Sequence, residues 1–318
     1  MRTRVLDDRF PAMGTLARVV RESDRGVDVA SMFAEIERRL SRFDPGSDLS
    51  RLNEDPRTCV PAGRMLRAAV AAALRAAALS GGLVDPALLG ALCDVGYSES
   101  RAHVQPASLM RALSSAPTRC PARPSAAARW RSVEIDDRAG VIRRPPGVQL
   151  DLGGTLKGWA ADLLAACLGR HGRCAVDVGG DLRVEGGRGQ PWEVRVRHPL
   201  TGATAHTLLV LSGGVATSGI DARLWEGRDG EFAHHLLDPG TRKPAWTGLI
   251  ATTALAPTAL DAEALAKAAL LSGPIGGRRL LRGRHGGVLI HDDGAVEVVD
   301  ARRWPALARS RENVVAGR

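Results

Sequence analysis

Residues 151–181 have the sequence DLGGTLKGWAADLLAACLGRHGRCAVDVGGD, in which a glycine pair, a helix and a strand follow in close succession. The first glycine pair opens a helix near Thr155, a residue type that caps helix N-termini. A strand is predicted over Cys174–Val178, and a second glycine pair and Asp181 follow it. Glycine lets the backbone approach a ligand closely. The stretch therefore predicts strand and helix ends suited to a polar ligand.

The remaining chain mixes strand and helix patterns without a regular βαβ alternation. Apolar residues recur at helical spacing from Val29 to Phe43, and an Ala-rich helix is predicted over Arg64–Ser80. Hairpins are predicted over Ser132–Ile142 and Gly287–Val299. Further strands are predicted at 15–21, 192–197, 207–211 and 249–255, and a helix at 259–271. This mixture predicts an α+β fold with mixed or antiparallel sheets and packed helices.

Two polar segments are predicted to lack regular structure. SRFDPGSDLSRLN, residues 41–53, is rich in Ser, Asp, Pro and Gly and is expected to be a structured loop. Residues 98–130 show no sustained period and are expected to form a variable surface excursion. Strand patterns on both sides of the excursion belong to one sheet system. We therefore expect a single domain over residues 1–318.

Composition limits the class of protein. The chain has 318 residues, of which 44% are hydrophobic, and no apolar run approaches the roughly 20 residues that span a bilayer. The N-terminus MRTRVLDDRF does not have the pattern of a signal peptide, so a soluble cytoplasmic protein is expected. The formal charge of +9 suggests a polyanion partner, but aromatic residues are only 3% of the chain, and we expect no nucleic-acid partner. The five cysteines include no CxxC pair and suggest neither disulfides nor zinc.

The helix that begins near Thr155 is a candidate anion site. A helix N-terminus presents free N–H groups and partial positive charge. Lys157 lies in its first turn, where a cation opposes the helix dipole unless an anion binds there. The alternative is an ordinary glycine turn with an exposed lysine. The chain contains only three lysines, Lys157, Lys243 and Lys267, against a strong preference for arginine, which suggests that a compact ammonium group is needed.

Four further segments could contribute polar groups to one site, although each is also compatible with a purely structural role. Val176–Asp181 ends a strand in Gly-Gly-Asp, and Gly213–Gly219 places two hydroxyls in a glycine turn. The adjacent His234 and His235 point to opposite faces of a strand, so only one of them can act as a proton acceptor at a given site. Glu263 and Lys267 are four residues apart on one helical face, as in a surface ion pair or a phosphate site.

In order, the chain contains FPAMGT, SRFDPGSDLSRLN, GGLVDPALLG, DLGGTLKGWAAD, VDVGGD, RHP, GGVATSG, HHLLDPGTRKPA and TALDAEALAKAALLSG. This ordered set, from Phe10 to Gly273, resembles the FAD:protein FMN transferases, the ApbE family. The resemblance implies a monomeric or weakly associating, T-fold-related α+β domain. It also implies Mg²⁺-assisted transfer of FMN from FAD to a Ser or Thr of an acceptor flavoprotein, with release of AMP.

By motif position, the resemblance implies roles for individual residues. His235, Glu263 and Lys267 are the expected catalytic residues, with His235 activating the acceptor hydroxyl. The expected metal ligands are Glu263 and Asp261. The expected FAD-binding residues are Met13, Ser41, Asp85, Lys157, Asp162, Gly180, Asp181, Thr217 and Ser218.

The sequence departs from the family pattern at the metal site. The family's helix carries Asp and, four residues later, Thr or Ser, whereas this chain has Glu263 and Lys267 at these positions. A second departure lies in the motif HHLLDPGTRKPA, where Arg242 replaces the family's usual glycine. A protonated lysine has no lone pair for Mg²⁺. Three alternatives follow: Lys267 replaces the metal, Glu263 with Asp261 holds a displaced ion, or turnover is poor. An FAD hydrolase and a catalytically silent FAD-binding protein are the alternative functions.

Overall fold

The protein is described from a computed structural model that covers residues 5–22, 27–186, 190–227 and 230–300 and the strand 308–311. The strands are β1 (Leu6–Ala12), β2 (Thr15–Arg21), β3 (Cys59–Pro61), β4 (Glu134–Asp136), β5 (Val141–Arg143), β6 (Cys174–Val178), β7 (Asp181–Glu185), β8 (Trp192–Arg197), β9 (Thr204–Val210), β10 (Gly213–Gly219), β11 (Leu224–Glu226), β12 (Phe232–His234), β13 (Leu237–Asp238), β14 (Lys243–Pro244), β15 (Leu249–Ala256), β16 (Gly287–His291), β17 (Val296–Val299) and β18 (Ala308–Arg311). The helices are α1 (Val29–Leu40), α2 (Asp48–Glu54), α3 (Arg64–Leu79), α4 (Leu89–Asp94), α5 (Leu109–Ser115), α6 (Leu156–Leu168), α7 (Ala259–Leu271) and α8 (Gly273–Arg282).

An eight-stranded sheet organises the molecule. Its order is β1-β2-β6-β7-β10-β15-β16-β17, and each neighbouring pair is antiparallel. Smaller sheets are formed by β3-β5-β4 and by β18-β9-β8. The predicted α+β class is confirmed, with antiparallel pairing in every described strand pair.

The helix α7 forms the centre of the packing. All of its residues are buried, as expected for a helix that is apolar around most of its circumference. It packs on β10 and β15, and α6, α3 and α8 contact its other sides. Glycines allow this close approach: a Cβ at Gly158 of α6 would lie 2.6 Å from the Ala259 carbonyl oxygen, and one at Gly214 of β10 would lie 2.2 Å from that of Thr258. Neither position can therefore accept a side chain without moving α7.

Two hydrophobic clusters form most of the core. One joins β10, β15, β16 and α7 to residues of β8 and β9, such as Val196 and Val210. The other joins α1, α2, α3 and α6 to β2 and β6. In the large sheet, α6 packs on β6 and β7 and α7 packs on β10 and β15, and residues of β8 and β9 join the same core as α7. Every helix in the described ranges is too short or too polar to cross a bilayer.

Most predicted elements are present, but three predictions were wrong. The segment 41–53 was expected to be a loop, yet Asp48–Glu54 forms α2, whose N-terminus is capped by the Ser47 hydroxyl. The segment Gly213–Gly219 is a complete inner strand, and not a strand that ends in a glycine turn. The excursion 98–130 contains α5, which buries Leu109 and Ala112 against the core. Ser47 and Ser108, which suggested irregular structure, cap the helices α2 and α5, and the glycines of residues 213–219 lie within a strand on which α7 packs closely.

Candidate functional site

A cavity of about 420 Å³ lies where the first turn of α6 faces α7 and several loops. It is lined by the turn between β1 and β2, by the residues after α1 and by residues of the segment 83–97. Residues 153–157, Arg223, His235 and Lys267 also line it. Among the residues expected to bind FAD or act in catalysis, those that line it are Met13, Ser41, Asp85, Lys157, His235 and Lys267.

The turn at Met13 and Gly14 is held in a conformation that is unusual for a methionine. Both residues have positive φ, 53° and 68°. This left-handed backbone is rare for residues other than glycine, asparagine and aspartate. The Met13 N–H donates to Oε2 of Glu37 at 2.9 Å, and Glu37 also lines the cavity. The carboxylate therefore fixes the strained turn against α1 at the wall of the cavity.

The floor of the cavity begins at the N-terminus of α6. Gly153, Gly154 and Lys157 line the cavity at this point. Thr155 was expected to cap the helix, but its hydroxyl donates to the Leu152 carbonyl at 3.2 Å and caps no N–H group. The Gly158 N–H donates instead to Oε2 of Glu263 at 2.9 Å. A carboxylate from α7 thus supplies the negative charge that a helix N-terminus favours.

Four charged side chains lie close together at the first turn of α6. We call these residues, Lys157, Asp181, Glu263 and Lys267, the charge quartet. The Lys157 ammonium donates to Oδ2 of Asp181 and lies 3.8 Å from Oε1 of Glu263. The Lys267 ammonium donates to the same Oε1 at 2.8 Å. The carboxylates are 1% and 0% exposed, whereas the Lys157 and Lys267 side chains retain 16% and 11% exposure and reach the cavity. The ammonium groups therefore separate the carboxylates from the cavity.

Burial and charge act in opposite directions on the pKa values of the quartet. Burial favours the neutral form of Lys157, but Asp181 and Glu263 outweigh it and raise the pKa of that ammonium. Burial also favours neutral Glu263, yet Lys267 and Lys157 lower the pKa of its carboxyl. Burial and the neighbouring Glu263 raise the pKa of Asp181 to about 7. Lys157 thus stays protonated, and Glu263 stays ionised, at neutral pH.

The two adjacent histidines lie in different environments, but not as alternate residues of one strand, because β12 ends at His234. His235 lines the cavity, with its ring centroid 6.5 Å from that of Tyr97. Its pKa is held well below the usual value, first by burial and then by the positive charge of Arg223. His234 is fully buried, packs its ring on Trp246 and accepts from the Leu236 N–H, and burial lowers its pKa to about 3. His235 is therefore a neutral imidazole at the cavity.

Sequence reasoning missed an aromatic and arginine cluster beside the cavity. The Arg42 guanidinium lies over the rings of Phe43 and Tyr97, 4.1 and 4.6 Å from their centroids, and is 3.2 Å from Asp151. The Tyr97 ring in turn contacts Trp225. The scarcity of aromatic residues led us to expect few stacking surfaces, but the fold gathers several here. Arg42 and Phe43 lie within the motif SRFDPGSDLSRLN, so the sequence identified the segment but not the contact between the guanidinium and the rings.

Arg223 is a second residue that sequence reasoning missed. It lines the cavity and lies close enough to lower the pKa of His235. Within the described ranges it has neither a carboxylate partner nor a hydrogen bond, unlike Arg42, Lys157 and Lys267. No motif singled it out, because one arginine among the 44 Lys and Arg residues gives no local signal.

Several predicted site residues lie outside the cavity lining. Asp162 caps α7, where it accepts from the N–H groups of Ala259 and Leu260 at 2.8 and 2.9 Å. Gly180 lies in the exposed turn between β6 and β7, and Asp181 and Glu263 lie below the two ammonium groups. The Thr217 hydroxyl bonds to that of Thr253 at 2.9 Å, and strand alternation points the buried Ser218 to the opposite face.

Asp261 and Glu263 are not brought together as metal ligands. Residues two apart on a helix point in nearly opposite directions. The Asp261 carboxylate accepts two hydrogen bonds from Arg75, at 2.9 and 2.7 Å, while Glu263 belongs to the charge quartet. The predicted pairing of these two residues is therefore corrected.

The chain is similar to several known proteins over most of its length. The sequence model of the ApbE family matches residues 13–290. The FAD:protein FMN transferase of Treponema pallidum (strain Nichols) is 33% identical over 296 residues, which cover 82% of this chain and 77% of that protein. The FAD:protein FMN transferase of Escherichia coli (strain K12) is 35% identical over 143 residues, which cover 43% of this chain and 40% of that protein. The crystal structure of the ApbE protein of Thermotoga maritima superposes with a TM-score of 0.73 at 26% identity, covering 93% of this chain and 97% of that one.

Proposed function

Because the chain belongs to the ApbE family, we propose that it transfers FMN from FAD to a serine or threonine hydroxyl of an acceptor flavoprotein and releases AMP. The matching relatives of Treponema pallidum and Escherichia coli are named FAD:protein FMN transferases. The observation that supports the proposal most directly is the cavity, which is lined by a helix N-terminus, by the cationic side chains Lys157, Arg223 and Lys267, and by a neutral histidine. These groups suit a diphosphate and a reacting hydroxyl.

The diphosphate of FAD is proposed to bind at the first turn of α6. Phosphate groups bind helix N-termini because N–H groups and the helix dipole favour negative charge. Lys157, Lys267 and Arg223 line the same region and add positive charge. Phe43, which is 36% exposed, lines the cavity and offers apolar surface for a ring of FAD. The cavity thus combines the two chemical requirements of a flavin dinucleotide.

His235 is proposed to accept the proton of the acceptor hydroxyl. The hydroxyl oxygen bonds to the phosphorus of the FMN half, and the bond from that phosphorus to the bridging oxygen breaks. AMP leaves with the bridging oxygen and its electron pair. A base must be unprotonated to act, and burial together with Arg223 holds the pKa of His235 well below neutral. The transfer otherwise depends on positioning and charge neutralisation.

The side chains near the cavity do not fit the Mg²⁺ ion that the family resemblance implies. Mg²⁺ requires oxygen ligands in octahedral geometry. Both oxygens of Glu263 accept hydrogen bonds, from Lys267 and from the Gly158 N–H, and Asp261 binds Arg75. In the part of the chain that the structure describes, no group of three or more His, Cys, Asp and Glu side chains is arranged to hold a metal. No step of the transfer is therefore assigned to Mg²⁺.

Incubation of the purified protein with FAD and a candidate acceptor flavoprotein tests the proposed function. Covalent FMN on a Ser or Thr of the acceptor, detected by peptide mass spectrometry together with free AMP, is the expected result. Free FMN and AMP without modified acceptor would identify an FAD hydrolase. Intact FAD under all conditions would leave only FAD binding and refute the transferase.

A further inference from the structure

The two lysines of the charge quartet occupy the side of the buried carboxylates that faces the cavity. Oε1 of Glu263 has the Lys267 ammonium at 2.8 Å and the Lys157 ammonium at 3.8 Å. Both lysine side chains line the cavity, whereas Asp181 and Glu263 do not. An anion that approaches the quartet from the cavity therefore meets these ammonium groups before it meets Asp181 or Glu263.

We propose that the ammonium groups of Lys157 and Lys267 take the place of a divalent cation, so that this chain binds and cleaves FAD without metal. The inference rests on the proposed function and specifies how the site neutralises the diphosphate. Two ammonium groups supply the same formal charge as one Mg²⁺ ion. They supply it from fixed positions, because Asp181 binds the Lys157 ammonium and Glu263 binds that of Lys267.

The arrangement also disfavours a metal ion at this place. A protonated lysine offers no lone pair to a metal. A divalent ion near Oε1 of Glu263 would have to displace at least one ammonium and would be repelled by the other. The free oxygen Oδ1 of Asp181 is a single buried ligand, which is too few for Mg²⁺. The quartet therefore excludes the ion by charge and by occupied ligands.

The path of the Lys267 side chain supports a role beyond balancing Glu263. Its Cε lies 3.8 Å from the position of a Cβ at Gly154, in the glycine turn before α6. The side chain thus runs along the glycine turn at the N-terminus of α6, where the helix dipole favours negative charge. A lysine that served only to neutralise Glu263 would not need to reach the cavity wall.

Metal dependence provides the first test. The purified full-length chain is treated with EDTA, FAD binding is followed by flavin fluorescence, and AMP release is measured by chromatography. We expect both to stay within about twofold of their values in Mg²⁺, because the lysines supply the charge. Titration calorimetry with MgCl₂ alone should show no saturable binding. Loss of FAD binding or cleavage in EDTA, with recovery on adding Mg²⁺, would overturn the inference.

Variants of Lys267 provide the second test. Lys267→Met should weaken FAD binding in EDTA by about tenfold or more, since it removes a charged hydrogen-bond donor. Lys267→Arg should retain much of the affinity because it retains the charge. Lys267→Thr frees Oε1 of Glu263 and adds an oxygen ligand, so its FAD affinity should become dependent on Mg²⁺. Wild-type affinity of Lys267→Met or Lys267→Thr in EDTA would contradict the proposal.

A matched control and a folding control complete the design. Lys243→Met removes the exposed lysine of β14, which does not line the cavity, and should leave FAD affinity unchanged. If Lys267→Met alone unfolds because Glu263 is left buried and ionised, the double variant Glu263→Gln/Lys267→Met removes that imbalance. The binding assay also distinguishes failure of the proposed transferase function from failure of the proposed metal-free site. No turnover in any buffer refutes the transferase, whereas FAD binding only with Mg²⁺ refutes the metal-free site.

Discussion

At the scale of single residues, the cations of the cavity differ in whether a carboxylate already neutralises them. Arg42 contacts Asp151, and Lys157 and Lys267 contact the buried carboxylates of the quartet. Arg223 has no such partner in the ranges that the structure covers. Its charge is therefore available to a ligand without the loss of an internal ion pair.

Arg223→Ala should weaken FAD binding by about tenfold to a hundredfold, the value of one or two charge-assisted hydrogen bonds. Its thermal stability should stay within about 1 °C of the parent, since no ion pair is lost. Fluorescence titration and thermal denaturation measure the two effects. Arg57→Ala, which removes an arginine 62% exposed and paired with Asp55, is the control and should not change FAD affinity. Unchanged affinity in Arg223→Ala would exclude a phosphate contact.

His235→Asn should lower the rate of FMN transfer by about a hundredfold to ten-thousandfold, as expected for loss of a general base. FAD affinity should change little, because the neutral imidazole contributes no charge. The pKa of His235 is held well below its usual value by burial and nearby cations, so the rate of the parent should show no acid limb near pH 6.5. A pH–rate profile checks this, and an acid limb near pH 6.5 that disappears in His235→Asn would contradict it.

At the scale of elements, α7 shows why a correct helix prediction was insufficient to define the site. The spacing of Glu263 and Lys267 is the same for an exposed ion pair and for a buried one. Only the packing of α6, α3 and α8 around α7 decides that this pair is buried. Once it is buried, a partner is essential for Glu263, because an unpaired charge in the interior is costly.

The start of α7 gives a prediction that separates a structural residue from a ligand contact. Asp162 was expected to contact FAD, but its carboxylate caps α7 through the Ala259 and Leu260 N–H groups. Asp162→Ala should lower the free energy of unfolding by about 1–2 kcal/mol, the usual effect of losing a cap. FAD affinity measured at a temperature where the variant is folded should be unchanged. Weaker binding with unchanged stability would restore the original expectation.

At the scale of the whole molecule, stability depends on keeping buried histidines neutral. Burial lowers the pKa of His234 to about 3, whereas an unfolded chain has a histidine pKa near 6.5. Between these values the unfolded state binds more protons than the folded state. Stability is therefore full above pH 6.5 and falls as the pH decreases towards 3.

His234 alone should lower the free energy of unfolding by about 2 kcal/mol between pH 7.5 and pH 5. Urea unfolding at the two pH values measures the difference. In His234→Asn, whose amide oxygen can still accept from the Leu236 N–H, the pH dependence should decrease by about this amount, and the contribution of His235 should remain. His103→Asn removes an exposed histidine and should leave the pH dependence intact. Equal pH dependence in the parent and in His234→Asn would show that other groups are responsible.

The sequence by itself determined the elements whose patterns are local. The periodicities of 3.6 and 2 residues located α1 and β8, and the ordered motifs indicated the family. Neighbouring residues along the chain contain this information, because helix and strand patterns repeat within a few positions. The departure at Lys267 was likewise visible in the motif.

The tertiary structure alone decided which of these residues form one site. Asp181 and Glu263 follow Lys157 by 24 and 106 positions along the chain, and only the sheet order and the burial of α7 bring the three side chains together. The same packing assigns Asp162 to a cap and Asp261 to Arg75, and it exposes Arg223 to the cavity. Pairing between distant segments depends on how whole faces fill space and exclude water, and no local pattern of residues records it.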